Sequence, residues 1–380
     1  MKKIKTLVVD DSAFMRKVIG DLLSEDPDID VVGKARNGME GIEQIKKLKP
    51  DVVTLDIEMP VMNGLQALEV IMKNHPVPVV MLSSLTQQGA NETIQALEIG
   101  AVDFIRKPSG SISLDLHTIG AEIVEKVKAA SQVNMMRMKQ TRVTQTRPFP
   151  AQPISSQQQI PPVKPVVKAT PEMSNQAPAT GLRGDRTNIP NIIAVGTSTG
   201  GPKALQILLC ELPESINGSL LIVQHMPAGF TRSLAQRLDS LCNIRVMEAE
   251  DNQIVEKGCA YVAPGNYHME VKQQASGQFY ISLNQNPARG GHRPAVDTLF
   301  ESVAAVQHPA KHAVIMTGMG SDGTVGLKAL KEKGLVTAIA EDESTCVVFG
   351  MPRTAIQTGL VDKVVPLHEI AEQLMLSLKR

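Results

Sequence analysis

Short apolar runs alternate with amphipathic stretches along most of this chain. TLVV (6–9) precedes a helical pattern over 13–23, DVV (30–32) one over 38–48, and DVVTL (51–55) one over 65–73. VPVVML (77–82) precedes a pattern over 90–98, and VDFI (102–105) one over 114–130. Strands that short and apolar, each followed by a helix, predict a five-stranded, doubly wound parallel sheet of flavodoxin-like type. A second α/β pattern runs from about 190 to the end, with strands expected at 192–195, 219–224, 244–248, 259–263, 313–317, 336–340 and 362–365. Within it, HMEVKQQASGQFYISL (268–283) alternates around a Ser-Gly turn and predicts a small antiparallel hairpin. The second half is thus expected to be mostly parallel, with one antiparallel excursion.

Between the two patterns the character changes. Residues 131–188 hold eight prolines, eight glutamines and no sustained apolar period, so an extended, solvated linker is expected. The predicted organisation is a first domain over 1–125, a linker over 126–188 and a second domain over 189–380. Across all 380 residues, 39 basic side chains balance 39 acidic ones, so no global charge draws the chain to nucleic acid or anionic lipid. The output half also lacks helix-turn-helix patterning, which argues against DNA binding. Cys210, Cys242, Cys259 and Cys346 form no C-x-x-C pair and read as buried thiols of a reducing compartment. The N-terminal apolar stretch is too short for a signal sequence and no run reaches spanning length, so a cytoplasmic protein without membrane insertion is expected.

In a wound sheet, ligands gather outside the carboxyl ends of the strands. Asp10 and Asp11 follow the first strand, Asp56 ends the third, Ser83 ends the fourth and Lys107 follows the fifth. Any one of the acids could be a cap or a turn residue. Together, converging carboxylates repel unless a cation shares them, and hard oxygen donors favour Mg2+. VVDDS, LDIEMPVMNG, MLSS and DFIRKP resemble the receiver domain of response regulators. The resemblance implies that Asp56 accepts a phosphoryl group from a chemotaxis histidine kinase, and that Asp10, Asp11, Asp56 and the Glu58 main-chain carbonyl hold Mg2+. It also implies that Lys107 pairs with the phosphorylated product, that Ser83 bonds its oxygens and that Phe104 is an aromatic switch residue. A core phenylalanine would occupy the same position.

The stretch NIIAVGTSTGGPKA (191–204) leaves three readings of Ser198 open: nucleophile, phosphate cradle or helix cap. The cradle is the weakest, because Pro202 interrupts the P-loop spacing and Ala204 replaces its Ser/Thr. A nucleophilic serine needs a base and an orienting acid. His225 in LLIVQHMP and Asp322 in MTGMGSDGT both follow predicted strands of the same sheet. Their order, Ser, His, acid, departs from that of α/β-hydrolases. Main-chain N–H groups at Thr199 and in the Gly318-Met319-Gly320 loop are natural donors to an oxyanion.

GTSTGGP, VQHMPAGFT, YVAPGNYHM, GGHRPAVDTLF and MTGMGSDG, in that order, resemble the catalytic domain of chemotaxis protein-glutamate methylesterases. The resemblance implies that Ser198 attacks a glutamyl methyl ester of a methyl-accepting chemoreceptor, with His225 as base then acid and Asp322 orienting it. Methanol and glutamate would be the products, glutamines would be deamidated by the same route, and Thr199 would support the site. It further implies that the receiver covers the site until Asp56 is phosphorylated. Arg289, His292 and Arg293 lie in a loop where they could grip an acidic receptor helix or merely be solvated. His308 and His312 lack a zinc pattern, and the hydrolase site is expected to use no cofactor.

Overall fold

The computed structural model describes residues 2–84, 86–107, 115–133, 135, 188–307 and 309–378. The greater part of the expected linker, from 136 to 187, lies outside the described residues, as does His308. The first half alternates β1 (Ile4–Val9), α1 (Ala13–Ser24), β2 (Ile29–Ala35), α2 (Gly38–Leu48), β3 (Val52–Asp56), α3 (Gly64–Asn74), β4 (Val79–Ser83), α4 (Gln87–Ile99), β5 (Asp103–Arg106) and α5 (Asp115–Ser131). Its sheet is parallel, in the order β2-β1-β3-β4-β5, as the alternating pattern predicts.

The second half comprises β6 (Asn191–Thr197), α6 (Gly201–Cys210), β7 (Ser219–Gln224), α7 (Phe230–Leu241), β8 (Arg245–Glu248), β9 (Cys259–Val262), β10 (His268–Gln273), β11 (Phe279–Asn284) and α8 (Val296–Ala305). Then follow β12 (Ala310–Ile315), α9 (Thr324–Glu332), β13 (Leu335–Glu341), α10 (Met351–Gln357), β14 (Lys363–Val365) and α11 (Leu367–Ser377). Seven strands form one parallel sheet, β14-β13-β12-β6-β7-β9-β8, while β10 and β11 make the separate antiparallel hairpin. Winding proceeds from β6 outward to β7 and β9, then resumes at β12 on the other flank, so the direction reverses beside β6. In the first sheet the reversal falls between β1 and β3. These are the two places where a wound fold opens a crevice.

The helices of the two halves begin differently. Ser12, Asn37, Asn63 and Thr86 cap α1 to α4 through their side chains, and Asn63 with Gln66 closes a capping box. In the second half, α6, α7 and α9 start from Gly200, Gly229 and Gly323 at positive φ, with no side-chain cap. Gly200, at φ 79°, turns the chain sharply from β6 into α6. Gly201 is required for space, since a Cβ there would lie 1.9 Å from Gln224 Oε1.

The halves share one apolar core. Leu97 and Phe104 of the first half belong to the same buried cluster as Phe230 and Leu234 of the second. The Phe104 and Phe230 rings stack with centroids 4.7 Å apart. At the rim, Arg237 makes a fork-to-fork pair with Glu98, at 2.7 and 3.0 Å. Cys259 and Cys346 are buried as expected; Cys210 and Cys242, at the ends of α6 and α7, are only half-buried and face one another with sulfurs 2.7 Å apart. Among the described residues no helix is long and apolar enough to cross a membrane.

Candidate active site

Two polar clusters occupy the two crevices. In the first, Asp10 and Asp56 are buried and Asp11 is exposed, with oxygens of all three within 4.8 Å of one another. Capping does not account for them, since Ser12 caps α1 and Asp10 Oδ1 instead accepts the Ser12 main-chain N–H. Lys107 Nζ lies 2.7 Å from Asp56 and 3.1 Å from Asp10. Burial opposes the charge on Lys107, but the two carboxylates outweigh it and raise its pKa. Burial pushes Asp56 up to about 6, against the pull of Lys107. One lysine among three carboxylates leaves excess negative charge on hard oxygens, with Asp11 open to solvent, and this donor set fits a divalent cation such as Mg2+.

The other expected members of this cluster have additional partners. The Glu58 carboxylate accepts the Ser84 hydroxyl, and the Glu58 N–H reaches Asp56 Oδ1 at 3.4 Å. Ser83 is buried, bonded to Thr93 at 2.6 Å and donating to the Gly89 carbonyl, so its hydroxyl is directed into the start of α4. Phe104 is buried against the second half, as described above, and Lys126 Nζ lies 5.1 Å from its ring centre.

The second cluster lies where β6, β7 and β12 end together. Thr197 pairs with Gln224 at the last step of the β6–β7 ladder, so Ser198 and His225, each one residue further on, emerge side by side. The His225 N–H donates to the Thr197 carbonyl at 3.2 Å. Ser198 is tied from behind, its N–H donating to the Thr317 carbonyl at 3.0 Å and its carbonyl accepting from Gln224 Nε2 at 2.9 Å. The cap reading of Ser198 falls away, because Gly200 caps α6 and no side chain joins it.

His225 Nε2 lies 2.8 Å from Asp322 Oδ2, both side chains being over nine-tenths buried. Asp322 also accepts the N–H groups of Val296 and Asp297 at the start of α8, and that of Gly323. It therefore does cap a helix, but one distant in sequence. Burial favours its neutral form; His225 and the main-chain donors more than offset this and hold its carboxyl below the usual range. An ionised Asp322 requires Nε2 to carry the proton, which leaves Nδ1, buried and without a hydrogen-bond partner among the described residues, as the basic nitrogen.

Further residues complete the crevice, some of them singled out in the sequence and others missed there. His292 stacks on His225 with centroids 3.8 Å apart and planes 9° apart. Burial, reinforced by His225, pushes its pKa down to about 4, so it is neutral near pH 7 and is no part of a basic loop. Of that loop, Arg289 is forked onto Glu301 and Arg293 donates to the Gln285 and Asn286 carbonyls at 3.0 and 3.1 Å. His312 is buried against Asn191 inside the sheet. Met319 is half-buried against the apolar cluster of the first half. Thr199, itself buried, donates its hydroxyl to Asp103 Oδ2 of β5 at 2.5 Å, and Lys126 Nζ lies 3.3 Å from Asp103 Oδ1. The only cue to Gln224 is a polar residue ending an apolar strand; nothing local marks Asp103, and nothing in the loop marks the stacking of His292 on His225.

Residues 193–374 match the CheB methylesterase family model and residues 6–117 the response regulator receiver domain. A Geobacillus kaustophilus protein named protein-glutamate methylesterase/protein-glutamine glutaminase is 52% identical over 98% of this chain and 97% of its own length. Namesakes from Halalkalibacterium halodurans and Bacillus subtilis are 49% and 47% identical, covering 100% and 99% of this chain and 99% of their own lengths. The chain belongs to this family of receiver-bearing CheB methylesterases, and it is accordingly a hydrolase.

The raised pKa of Asp56 makes a prediction about stability. Folded Asp56 keeps its proton to about pH 6, whereas an unfolded aspartate loses it near pH ~4. The native state therefore binds more protons in that window, and its stability falls as pH rises through it. Asp56→Asn should raise the urea midpoint in the presence of a chelator, with a gain growing from pH 4 to 7 toward about 1–3 kcal/mol. A difference independent of pH would contradict the burial effect.

Proposed function

We propose that the second crevice hydrolyses glutamyl methyl esters, and the corresponding glutamine amides, on methyl-accepting chemoreceptors in the cytoplasm. In this reading residues 1–125 are the receiver, 126–188 the linker and 189–380 the catalytic domain. The observation that carries it is the emergence of Ser198 beside His225 at the end of one ladder, with Asp322 bonded to the far nitrogen of the same imidazole.

His225 Nδ1 takes the Ser198 proton as Oγ bonds to the γ-carbonyl carbon. The carbonyl π electrons move to oxygen, and main-chain N–H groups at Thr199 and Met319 stabilise that oxyanion, an effect worth a few (~3) kcal/mol in related chemistry. Collapse expels the methoxy group, which leaves as methanol with the proton from His225. Water, activated by the same nitrogen, then cleaves the acyl-enzyme to glutamate; from a glutamine the leaving group is ammonia. Asp322 stabilises the transient imidazolium, and the neutral His292 ring covers one of its faces. Arg289 and Arg293 lie on a loop near this crevice and are the candidate contacts for receptor carboxylates, although holding a receptor would require sharing Arg289 with Glu301.

Asp56 is the proposed phospho-acceptor, with a chemotaxis histidine kinase as donor. Asp10, Asp11, Asp56 and the Glu58 carbonyl would hold Mg2+, which when bound supplies charge neutralisation between carboxylate and phosphoryl oxygens. Lys107 and Ser83 would then turn to the new oxygens, Ser83 leaving its bond to Thr93.

The receiver is set to restrain this chemistry, since Asp103 occupies the Thr199 hydroxyl and Phe104 is stacked on Phe230. Phosphorylation at Asp56 need bias the two arrangements by only about 1–3 kcal/mol to change activity severalfold to a hundredfold.

Incubating full-length protein with methylated receptor tests the nucleophile: wild type releases methanol and Ser198→Ala releases none, whereas equal release would refute the assignment. Without phosphodonor, Asp103→Ala should release methanol severalfold faster than wild type, and an unchanged basal rate would count against restraint through Thr199. A small-molecule phosphodonor should accelerate wild type but not Asp56→Asn; full acceleration of that variant would remove Asp56 from the scheme.

A further inference from the structure

Behind the Ser198 turn lies a buried acid that the reaction above does not use. Glu341 is the last residue of β13 and is fully buried at the carboxyl edge of the sheet. The β12–β13 ladder ends with the pair Ile315 and Ala340. Beyond it the Thr317 N–H points to no strand carbonyl, and it donates to Glu341 Oε2 at 2.8 Å. The side chain thus substitutes for a missing main-chain acceptor, and it extends the sheet's grip on β12 past its last regular pair.

Thr317 is the hub through which that grip is transmitted. Its carbonyl accepts the Ser198 N–H at 3.0 Å, and its hydroxyl donates to the Thr199 carbonyl at 2.9 Å while accepting the Val348 N–H at 3.0 Å. The next residue, Gly318, lies so close that a Cβ on it would come within 2.8 Å of Ser198 Cβ. The nucleophile turn is therefore bedded on Thr317 and Gly318, and their placement rests in part on one carboxyl. Burying that carboxyl is costly: desolvation pushes its pKa up to about 7 despite the hydrogen bond from the Thr317 N–H, and its other oxygen, Oε1, is buried without a hydrogen-bond partner among the described residues. An apolar side chain would avoid this cost but would strand the Thr317 donor.

We infer that Glu341 is a positioning residue for the hydrolysis, acting through Thr317 on the main chain of Ser198 and Thr199. The required property is an acceptor oxygen at this position, not a charge. Glutamine supplies that oxygen; alanine and methionine do not. The inference rests on Ser198 being the nucleophile.

The test measures methanol release from methylated receptor by the full-length, phosphodonor-activated protein and its Glu341→Ala, Glu341→Gln and Ser198→Ala variants. Glu341→Ala should lower kcat roughly ten- to hundredfold with KM within about twofold, because displacement of a reacting group costs rate more than binding. Glu341→Gln should restore at least half of the wild-type kcat. Should Glu341→Ala fail to fold, Glu341→Met, which fills the space without an acceptor, carries the same expectation. Wild-type kcat in the alanine or methionine variant, equal losses in the alanine and glutamine variants, or a loss confined to KM would each overturn the inference. Activity in Ser198→Ala would instead show that the nucleophile assignment had failed, and the inference with it.

Discussion

The second half depends above all on the parallel pairing of β6 with two neighbours at once. The β6–β7 register delivers Ser198 beside His225, and the β12–β6 register brings the loop carrying Asp322 to the same rim. Because side chains alternate along a strand, a slip of one residue between β6 and β7 would no longer present Ser198 and His225 side by side. The register is secured by the apolar interior of all three strands, fully buried on both faces. Polar side chains lock it at the last step. Gln224 is the clearest case: its amide accepts the Thr197 hydroxyl at 2.6 Å and donates to the Ser198 carbonyl. The core thus sets coarse alignment and a few buried hydrogen bonds set the final geometry.

Contact between the halves follows a similar division of labour. Apolar packing of α4 on α7, continued by the Phe104–Phe230 stack, supplies most of the non-directional adhesion. The Glu98–Arg237 pair is partly exposed and adds little, about 0–1 kcal/mol. The short bond between Asp103 and Thr199 is different in kind, because it is buried and directed at a residue of the second crevice. Lys126 shares the Asp103 charge, so separating the halves would expose an ion pair without stranding a lone carboxylate. Such an interface is cohesive yet releasable.

Much of this was legible in the residues. The period of the apolar runs located the strands of both halves, most boundaries within two residues and those of β2 and β12 within three, because buried parallel strands are short, apolar and punctuated by helices. The acids at strand ends were legible for the same topological reason, and so were Ser198, His225 and Asp322. What stayed hidden depends on contacts between distant segments. His292 reads as one member of a basic loop, yet its stacking on His225 requires the turn at Gly290 and Gly291 to fold the loop over the crevice. Arg289 reads as a free cation until α8 presents Glu301 to it. The Asp103 contact with Thr199 spans 96 positions, and no local pattern encodes it. The strand expected over 313–317 ends at Ile315, because the Thr317 N–H turns to a side chain rather than to β13.

One further consequence concerns Asp322. The same carboxylate that holds His225 terminates α8, whose preceding residue, Ala295, offers no side-chain cap. One acid therefore holds both the entrance of α8 and the His225 imidazole, and neither contact can be varied alone. An amide in its place would disturb the helix entrance together with the imidazole. Tolerance to substitution should accordingly drop along the segment leading into α8, although that segment lies some 25 positions away in the chain.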